Sequence, residues 1–427
     1  MYCTQNEKIN QVTENTLVVG IDVGSKTHYA RAFNWRGIEF TKYLRFDNTR
    51  EGFKVLDRWI SELQKNHHLS EFLLGAEPTG HYWYALADHL KAKQNPLVLV
   101  NPTHVKQSKS LDDNNPSKSD KKDPKVIAKL VIDGRYSYPH IPEGVYAELR
   151  VANSNYVRLK TDIGRIKNKV QRWLKIYFPE YKEVFKKPFG EASIEVLARL
   201  ALPSKIKKMD AQSINQIFRD VKIRAVGLKR AERLIEAAKG SIGRKTEPIA
   251  ASMEIEILID EYRMKEKQKE KMEQLMESLC ESIPAAEKLS SIKGIGPITV
   301  ASFLAEVGDI GRFQSPKQIQ KYAGLALKES SSGDHEGKTE INRRGRKLLR
   351  TTLFQAVLSL VSNNEAFRAL HQYNIKEKPN PMKKKQSIVA LSCKLIRVFY
   401  AILTKGIDFD GEKMLEDIQR PSPLAAA

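Results

Sequence analysis

The chain has 427 residues, enough for two or three domains with cores of their own. It carries 72 Lys and Arg against 51 Asp and Glu, a formal net charge of +21, which points to a polyanion as partner rather than a neutral one. Cys3, Cys280 and Cys393 are too far apart in sequence for a metal-binding spacing, and with no run of about 18 uninterrupted apolar residues, neither a membrane span nor a secretory leader is expected. Structural zinc, a disulfide scaffold and a membrane partner are thereby set aside, and the expected setting is reducing and cytoplasmic.

Residues 1 to 15 are polar and predict a frayed start. Three strands are predicted next, Leu17 to Val23, Tyr29 to Asn34 and Gly37 to Phe46, with turns at Gly24-Ser25 and Trp35-Arg36-Gly37. Phe53, Leu56, Trp59, Ile60 and Leu63 recur at helical spacing and predict a helix from Glu51 to Lys65. Phe72 to Ala76 and Pro96 to Val100 are short apolar runs that read as buried parallel strands, with a helix from Tyr82 to Lys93 between them. This order predicts an α/β layer with a mixed sheet. Asn101 to Pro124 reads as a polar loop that orders around substrate. A helix from Pro124 to Asp133 follows, with Asp123 and Pro124 as an N-cap and N1 pair.

The middle of the chain changes character. Leu149, Ala152, Tyr156, Leu159, Ile163, Ile166, Val170, Trp173 and Tyr177 alternate by three and four, a coiled-coil-like stripe. A second long helix is predicted from Ile249 to Ser282, with a shorter helical insert between Gly190 and Gly240. The two long helices form either an antiparallel stalk packed within one chain or an arm that joins copies. After Pro284, Ser291-Ile292-Lys293-Gly294-Ile295-Gly296-Pro297 forms a glycine hairpin leading into a helix from Val300 to Val307. Such a helix-hairpin-helix-like turn presents backbone N–H groups of Gly294 and Gly296, beside Lys293, to a phosphate, or is a purely structural turn. The fold class expected is α/β plus α: an α/β unit at 1–145, a helical region at 146–284, a mainly helical unit at 285–405 and a tail at 406–427.

Four acids stand out. Asp22 ends the run Leu17-Val18-Val19-Gly20-Ile21, Glu77 ends Phe72-Leu73-Leu74-Gly75-Ala76, and Asp120 and Asp123 lie three apart in Ser119-Asp120-Lys121-Lys122-Asp123-Pro124. Carboxylates at strand ends in a basic chain suit a hard cation facing phosphate, Mg2+ or Mn2+. Singly, each acid is also an ordinary cap or solvated charge, and Asp112 and Asp113 are reserve candidates. Farther on, Ser330-Ser331-Ser332-Gly333 is a serine-rich segment followed by Arg343, Arg344, Arg346, Lys347 and Arg350. A serine there can reach a phosphorus atom, and the cations can hold phosphates. Alone, the first is a linker and the second a backbone-binding face. Lys383, Lys384 and Lys385 precede an apolar helix from Ile388 to Leu403 and read as another phosphate-contacting or solvated face.

Together these blocks resemble the DEDD-type insertion-sequence transposases that use a serine, the bridge-RNA-guided recombinases. The match rests on Val19-Gly20-Ile21-Asp22-Val23-Gly24-Ser25-Lys26, on Glu77-Pro78-Thr79-Gly80 with Ser119-Asp120-Lys121-Lys122-Asp123, and on Gly294-Ile295-Gly296-Pro297 with Ser331-Ser332-Gly333 and Gly345-Arg346-Lys347-Leu348-Leu349-Arg350. It covers roughly 17 to 135 and 285 to 405; the helical middle matches only in character. The resemblance implies an N-terminal RNase H-like (RuvC-like) domain, with Asp22, Glu77, Asp120 and Asp123 as the Mg2+-binding tetrad. It also implies Ser332 as nucleophile, with Ser330 and Ser331 as neighbours, and a covalent phosphoserine intermediate. The implied partners are double-stranded DNA at the element ends and target, a guide RNA, and further copies in a homodimer or homotetramer. The implied setting is the prokaryotic cytoplasm, with the protein on the nucleoid when bound. Two other readings stay beside it: a Mg2+-dependent structure-specific nuclease using water, and a non-catalytic nucleic-acid-binding scaffold.

Overall fold

A computed structural model describes residues 4–112, 122–222, 227–328, 331–332, 335–336 and 340–419, with side chains described at 4–109, 122–222, 227–327 and 340–416. The chain divides into two compact units, 1–141 and 142–427.

In the first unit the polar start is ordered. Helix α1 (Gln5–Asn10) carries a capping box between Thr4 and Glu7, so the expected fraying gives way to local capping. Strands β1 (Thr16–Asp22), β2 (Thr27–Phe33) and β3 (Leu44–Asp47) form an antiparallel meander. The third strand is much shorter than Gly37 to Phe46. Only an isolated bridge joins Phe33 to Glu39, whose carboxylate pairs with Arg31. Helix α2 (Arg50–Asn66) is capped by Thr49, and buries Phe53, Leu56, Ile60 and Leu63 at helical spacing. Then come β4 (Glu71–Ala76), α3 (Tyr84–Ala92), β5 (Leu97–Val100), α4 (Pro102–Asp112), α5 (Asp123–Ile132) and β6 (Tyr136–Ser137). Residues 102–112 are therefore helix, not the expected loop. Asn101 and Pro102 open α4 by the same cap-and-proline device expected of Asp123 and Pro124, and the Thr103 amide donates to Asn101 Oδ1 at 2.9 Å.

The sheet order is β3-β2-β1-β4-β5-β6, with β1, β4 and β5 parallel and the rest antiparallel. Strand alternation sorts the core. Leu17, Val19, Ile21, Leu74 and Ala76 pack under α2 and α3, whereas Val18, Leu73 and Val98 pack with Val126, Ile127 and Val131 of α5. The result is a mixed α/β sheet covered on both faces.

The second unit is helical apart from short ladders. Helices α6 (Gly144–Tyr177) and α12 (Pro248–Glu281) each run 34 residues, about 51 Å at 1.5 Å per residue. The predicted stripe is the buried face of α6: Leu149, Ala152, Leu159, Ile163, Ile166, Val170 and Trp173. Trp173 Nε1 donates to the Ala251 carbonyl at 2.9 Å near one end, and Leu149 shares a core with Met276 near the other, so the pair is antiparallel within one chain. Between them lies an insert of α7 (Tyr181–Val184), α8 (Glu191–Arg199), α9 (Pro203–Ile206), α10 (Ala211–Asp220) and α11 (Leu228–Lys239). It continues the core of Trp173, Phe178, Tyr181, Phe218 and Ile255.

The remainder comprises α13 (Ala286–Ser290), α14 (Pro297–Val307), α15 (Pro316–Tyr322), β7 (Leu327–Lys328), β8 (Ser331–Ser332), β9 (His335–Glu336), β10 (Glu340–Ile341), α16 (Lys347–Asn363), α17 (Glu365–Gln372), α18 (Lys384–Lys405) and α19 (Gly411–Gln419). Its core joins Phe303, Leu304, Leu353, Val357, Leu395 and Phe399. By length and composition α18 could cross a membrane, but Ile388, Leu391, Leu395, Ile396, Phe399 and Ile402 are buried in that core.

Candidate active site

Two acids owe their position to sheet register. Ile21 of β1 pairs with Ala76 of β4, so the next residues, Asp22 and Glu77, stand side by side at the carboxyl ends of adjacent parallel strands. Alternation turns both toward the face covered by α5, because Gly20 and Gly75, two residues earlier, back onto that helix. A Cβ on Gly20 would lie 1.9 Å from the Pro124 carbonyl oxygen, and one on Gly75 would lie 2.4 Å from Val131 Cγ2. The two glycines let α5 settle against the sheet, which brings its first residue, Asp123, to the face that carries Asp22 and Glu77. Asp123 is the first helical residue, with Lys122 before it and Pro124 second, one position later than a cap.

Lys109 of α4 completes this corner. Its ammonium lies 2.6 Å from Asp123 Oδ2. Burial pushes the Glu77 carboxyl above its usual range; Lys109 pulls it down and Asp123 pushes it up. Asp123 and Lys109 thus both act electrostatically on Glu77. Three carboxylates on one face, one of them raised toward its neutral form, are hard oxygen donors suited to a divalent cation. Among the described residues they do not close into a three-ligand set. Asp120, the fourth acid, lies outside the described residues, as does Asp113.

The turn after Asp22 is held from behind. The Gly24 amide donates to Nδ1 of His28, which is fully buried, and Asn48 Nδ2 donates to the Ser25 carbonyl at 3.2 Å. Accepting at Nδ1 leaves the proton on Nε2, and burial lowers the imidazole's pKa.

In the second unit the serine segment is a paired ladder rather than an open linker. Ser332 pairs with His335 and Ser331 with Glu336, while Leu327 pairs with Ile341 and Lys328 with Glu340. The side chains of Ser331 and Ser332 and all of Ser330 lie outside the described residues. The flanking chains cross where Gly324 meets Gly345: a Cβ on Gly345 would lie 2.5 Å from the Gly324 nitrogen. The Arg343 amide donates to the Gly324 carbonyl and the Arg346 amide to Tyr322.

The expected phosphate-binding cations divide in two. Arg343, Arg344 and Lys347 are exposed. Arg346 is turned inward, its Nε 2.7 Å from Glu306 Oε2, a carboxylate only 2% exposed. Arg350 donates from Nη1 to the Ala323 carbonyl at 2.8 Å. These two clamp the crossing. Lys293 and Gly296 are exposed at the turn before α14, whereas Gly294, at φ +100, backs onto Leu360 and Asn363 of α16. Lys383, Lys384 and Lys385 are exposed at the start of α18, where the helix dipole disfavours cations in the absence of an anion.

Two family models match the chain. One, described as a transposase, covers residues 19–179, and the other, described as the transposase IS116/IS110/IS902 family, covers 286–372. Both ends of the chain are thus similar to the IS110/IS116 transposases. Relatives similar to it include a putative transposase of Sinorhizobium fredii, 32% identical over 133 residues, 31% of this chain and 33% of the relative. The pilin gene-inverting protein of Moraxella bovis is 32% identical over 126 residues, 29% of this chain and 38% of the relative. An insertion element IS110 protein of Streptomyces coelicolor is 22% identical over 305 residues, 69% of this chain and 72% of the relative. The chain thus spans about a third of the length of the first two relatives. The N-terminal family match contains Asp22, Glu77 and Asp123 and points to divalent-metal use in general; the C-terminal match contains Ser332.

Sequence reasoning missed Lys109, His28 and Glu306. Only backbone proximity in the fold reveals the first and third. The glycine pattern was readable: Val19-Gly20-Ile21-Asp22 and Leu74-Gly75-Ala76-Glu77 both run apolar, Gly, apolar, acid.

Proposed function

We propose that the protein is a transposase, a DNA recombinase that cuts and rejoins strands through a covalent phosphoserine intermediate. The observation that carries the reading is the shared face of Asp22, Glu77 and Asp123 in a chain matched at both ends by one transposase family. The sheet, with three antiparallel strands leading into parallel ones and acids on β1 and β4, supports an RNase H-like (RuvC-like) domain at 1–145. The helical region is 146–284, the serine-bearing domain 285–405 and the tail 406–427.

Asp22, Glu77, Asp123 and Asp120 would hold Mg2+ or Mn2+. Bound there, the metal supplies charge stabilisation at a phosphodiester. Ser332 is the nucleophile. Its Oγ forms a bond to phosphorus, the bond to the leaving deoxyribose oxygen breaks, and the serine proton passes to solvent while that oxygen gains one. Reversal by a hydroxyl of another strand restores the phosphodiester, so the exchange needs no external energy source. Arg343, Arg344 and Lys347, exposed beside the ladder, hold the flanking phosphates; Lys293, Gly296 and Lys383 to Lys385 bind backbone farther away, and Gly294 shapes its turn. A relative named for inverting a pilin gene supports rejoining over hydrolysis. The proposed partners are double-stranded DNA at element ends and target, a guide RNA, and further copies of the chain. Ile249, Met253, Ile257 and Met264, exposed along α12, support the last. The proposed setting is the prokaryotic cytoplasm, on the nucleoid when bound.

The test is a denaturing gel for a covalent protein–DNA adduct. It uses labelled element-end and target DNA, Mg2+ and RNA co-purified with the protein, alongside Ser332→Ala and Asp22→Ala. An adduct lost in Ser332→Ala supports the reading. Cleavage without an adduct replaces it with a hydrolytic nuclease, and normal recombination by Ser332→Ala removes the serine assignment.

A further inference from the structure

The insert between the long helices contains a cavity of about 540 Å3 that none of the site residues above touches. Its wall carries Lys186, Lys187, Arg230 and Arg233 against Glu183 and Glu191, an excess of positive charge. Two of the cations are fixed: Arg233 Nη2 donates to the Glu183 carbonyl at 3.0 Å, and the Arg230 guanidinium lies 5.8 Å from the Phe185 ring centre. The other two are unengaged. Ion pairs of this region involve Arg199, Lys239, Arg244 and Arg263, and among the described residues none involves Lys186 or Lys187, both exposed.

A second feature favours an anion at the same wall. Helix α8 starts there with Gly190 as N-cap, and no side chain caps its first turn. The positive end of the helix and the four cations act on the same space. Phe185 is only 5% exposed, so no aromatic face is offered for a base to stack on. The cavity is therefore suited to phosphate and not to a base, which makes recognition independent of sequence. A space of this size also admits the sugar joined to the phosphate.

We propose that this cavity is an additional phosphate-ester site, one that holds the backbone of a nucleic-acid strand running over the insert. The inference rests on the nucleic-acid reading of the chain. Its chemistry is shared by a strand phosphodiester and by free phosphate, and the test separates them.

The full-length protein is titrated with a short labelled single-stranded oligonucleotide across a range of salt concentrations. Lys186→Ala/Lys187→Ala is compared with Lys207→Ala/Lys208→Ala, which removes the same charge from exposed lysines of the same insert outside the cavity. The cavity variant is expected to bind roughly tenfold more weakly, with a salt slope smaller by about 1.4, because each lost phosphate contact removes about 0.7. The control variant is expected to move far less, and Lys186→Arg/Lys187→Arg to recover binding. Equal losses in both alanine variants, or none in either while the wild type binds, would overturn the cavity and leave the nucleic-acid reading intact. If inorganic phosphate binds the wild type through these lysines but the oligonucleotide does not, the strand assignment is overturned. No binding of any nucleic acid by the wild type would overturn both.

Discussion

The acid corner of the first unit and the serine ladder of the second hold their residues by different means. Asp22 and Glu77 sit at the ends of strands whose preceding residues, Val18 to Ile21 and Leu73 to Ala76, are buried, and α5 locks against them through Gly20 and Gly75. Their placement follows from sheet register, which a one-residue slip would invert. Ser331 and Ser332 sit on a two-residue strand, carried by short ladders and a crossing of two glycines clamped by Arg346 and Arg350. The acid corner is built on buried strands; the serine segment depends on a few backbone contacts.

The harshest way to break the rigid side is Gly20→Ala. A methyl placed 1.9 Å from the Pro124 carbonyl must push α5 from the sheet. A loss of about 3 kcal/mol is expected in urea unfolding, together with loss of DNA cleavage, since Asp123 moves with α5. Retained stability and activity would mean that α5 is not locked to β1.

On the other side, Arg346→Ala leaves Glu306, 2% exposed, without its cation. Allowing for the partly exposed arginine, a loss of about 2 kcal/mol is expected. Arg343→Ala/Arg344→Ala should instead leave stability within about 0.5 kcal/mol and weaken DNA binding with a smaller salt slope. Equal behaviour of the two variants would erase the distinction between clamp and contact. Gly324→Ala is milder. Gly324 has φ +72, and its Cβ would lie 2.7 Å from Arg350 Nη1, so a loss of about 1 kcal/mol is expected. Its stronger readout is functional: adduct formation by Ser332 falls while divalent-metal binding at the acid corner persists.

The difference between the two regions also governs what could be read from the sequence. Apolar runs made β1, β4 and β5 legible because buried parallel strands have continuous hydrophobic sequences, and the stripe on α6 was legible because it repeats. Asp22 and Glu77 were legible as strand-end acids. The ends of polar elements were not: α4 was hidden in a Lys- and Ser-rich stretch, and only Asn101-Pro102 announced it. The clamp was also hidden, since Arg346 and Arg350 share a basic run with exposed cations and only the fold shows which ones turn inward. Lys109 and Asp123 are 14 residues apart, beyond any local spacing rule.

The smallest expected effect probes the turn behind Asp22. Burial holds the His28 imidazole below its ordinary value, outweighing the pull of Asn48 and Asp47 toward the charged form. A histidine with a depressed folded value stabilises the fold fully above its unfolded value of about 6.5 and loses that contribution as pH falls toward the folded value. Protonation at Nδ1 also removes the acceptor for the Gly24 amide, which lies two residues past Asp22. Protection of the Gly24 amide from hydrogen exchange, corrected for intrinsic rate, should therefore hold above about pH 6.5 and fall over the interval below it in the wild type. In His28→Gln, which has no titrating ring, protection should be lower at the higher pH and nearly flat across the interval. Parallel curves for the two proteins would mean that the ring does not hold the turn through Nδ1. A drop confined to the wild type would tie the placement of the first acid to a buried neutral histidine on the neighbouring strand.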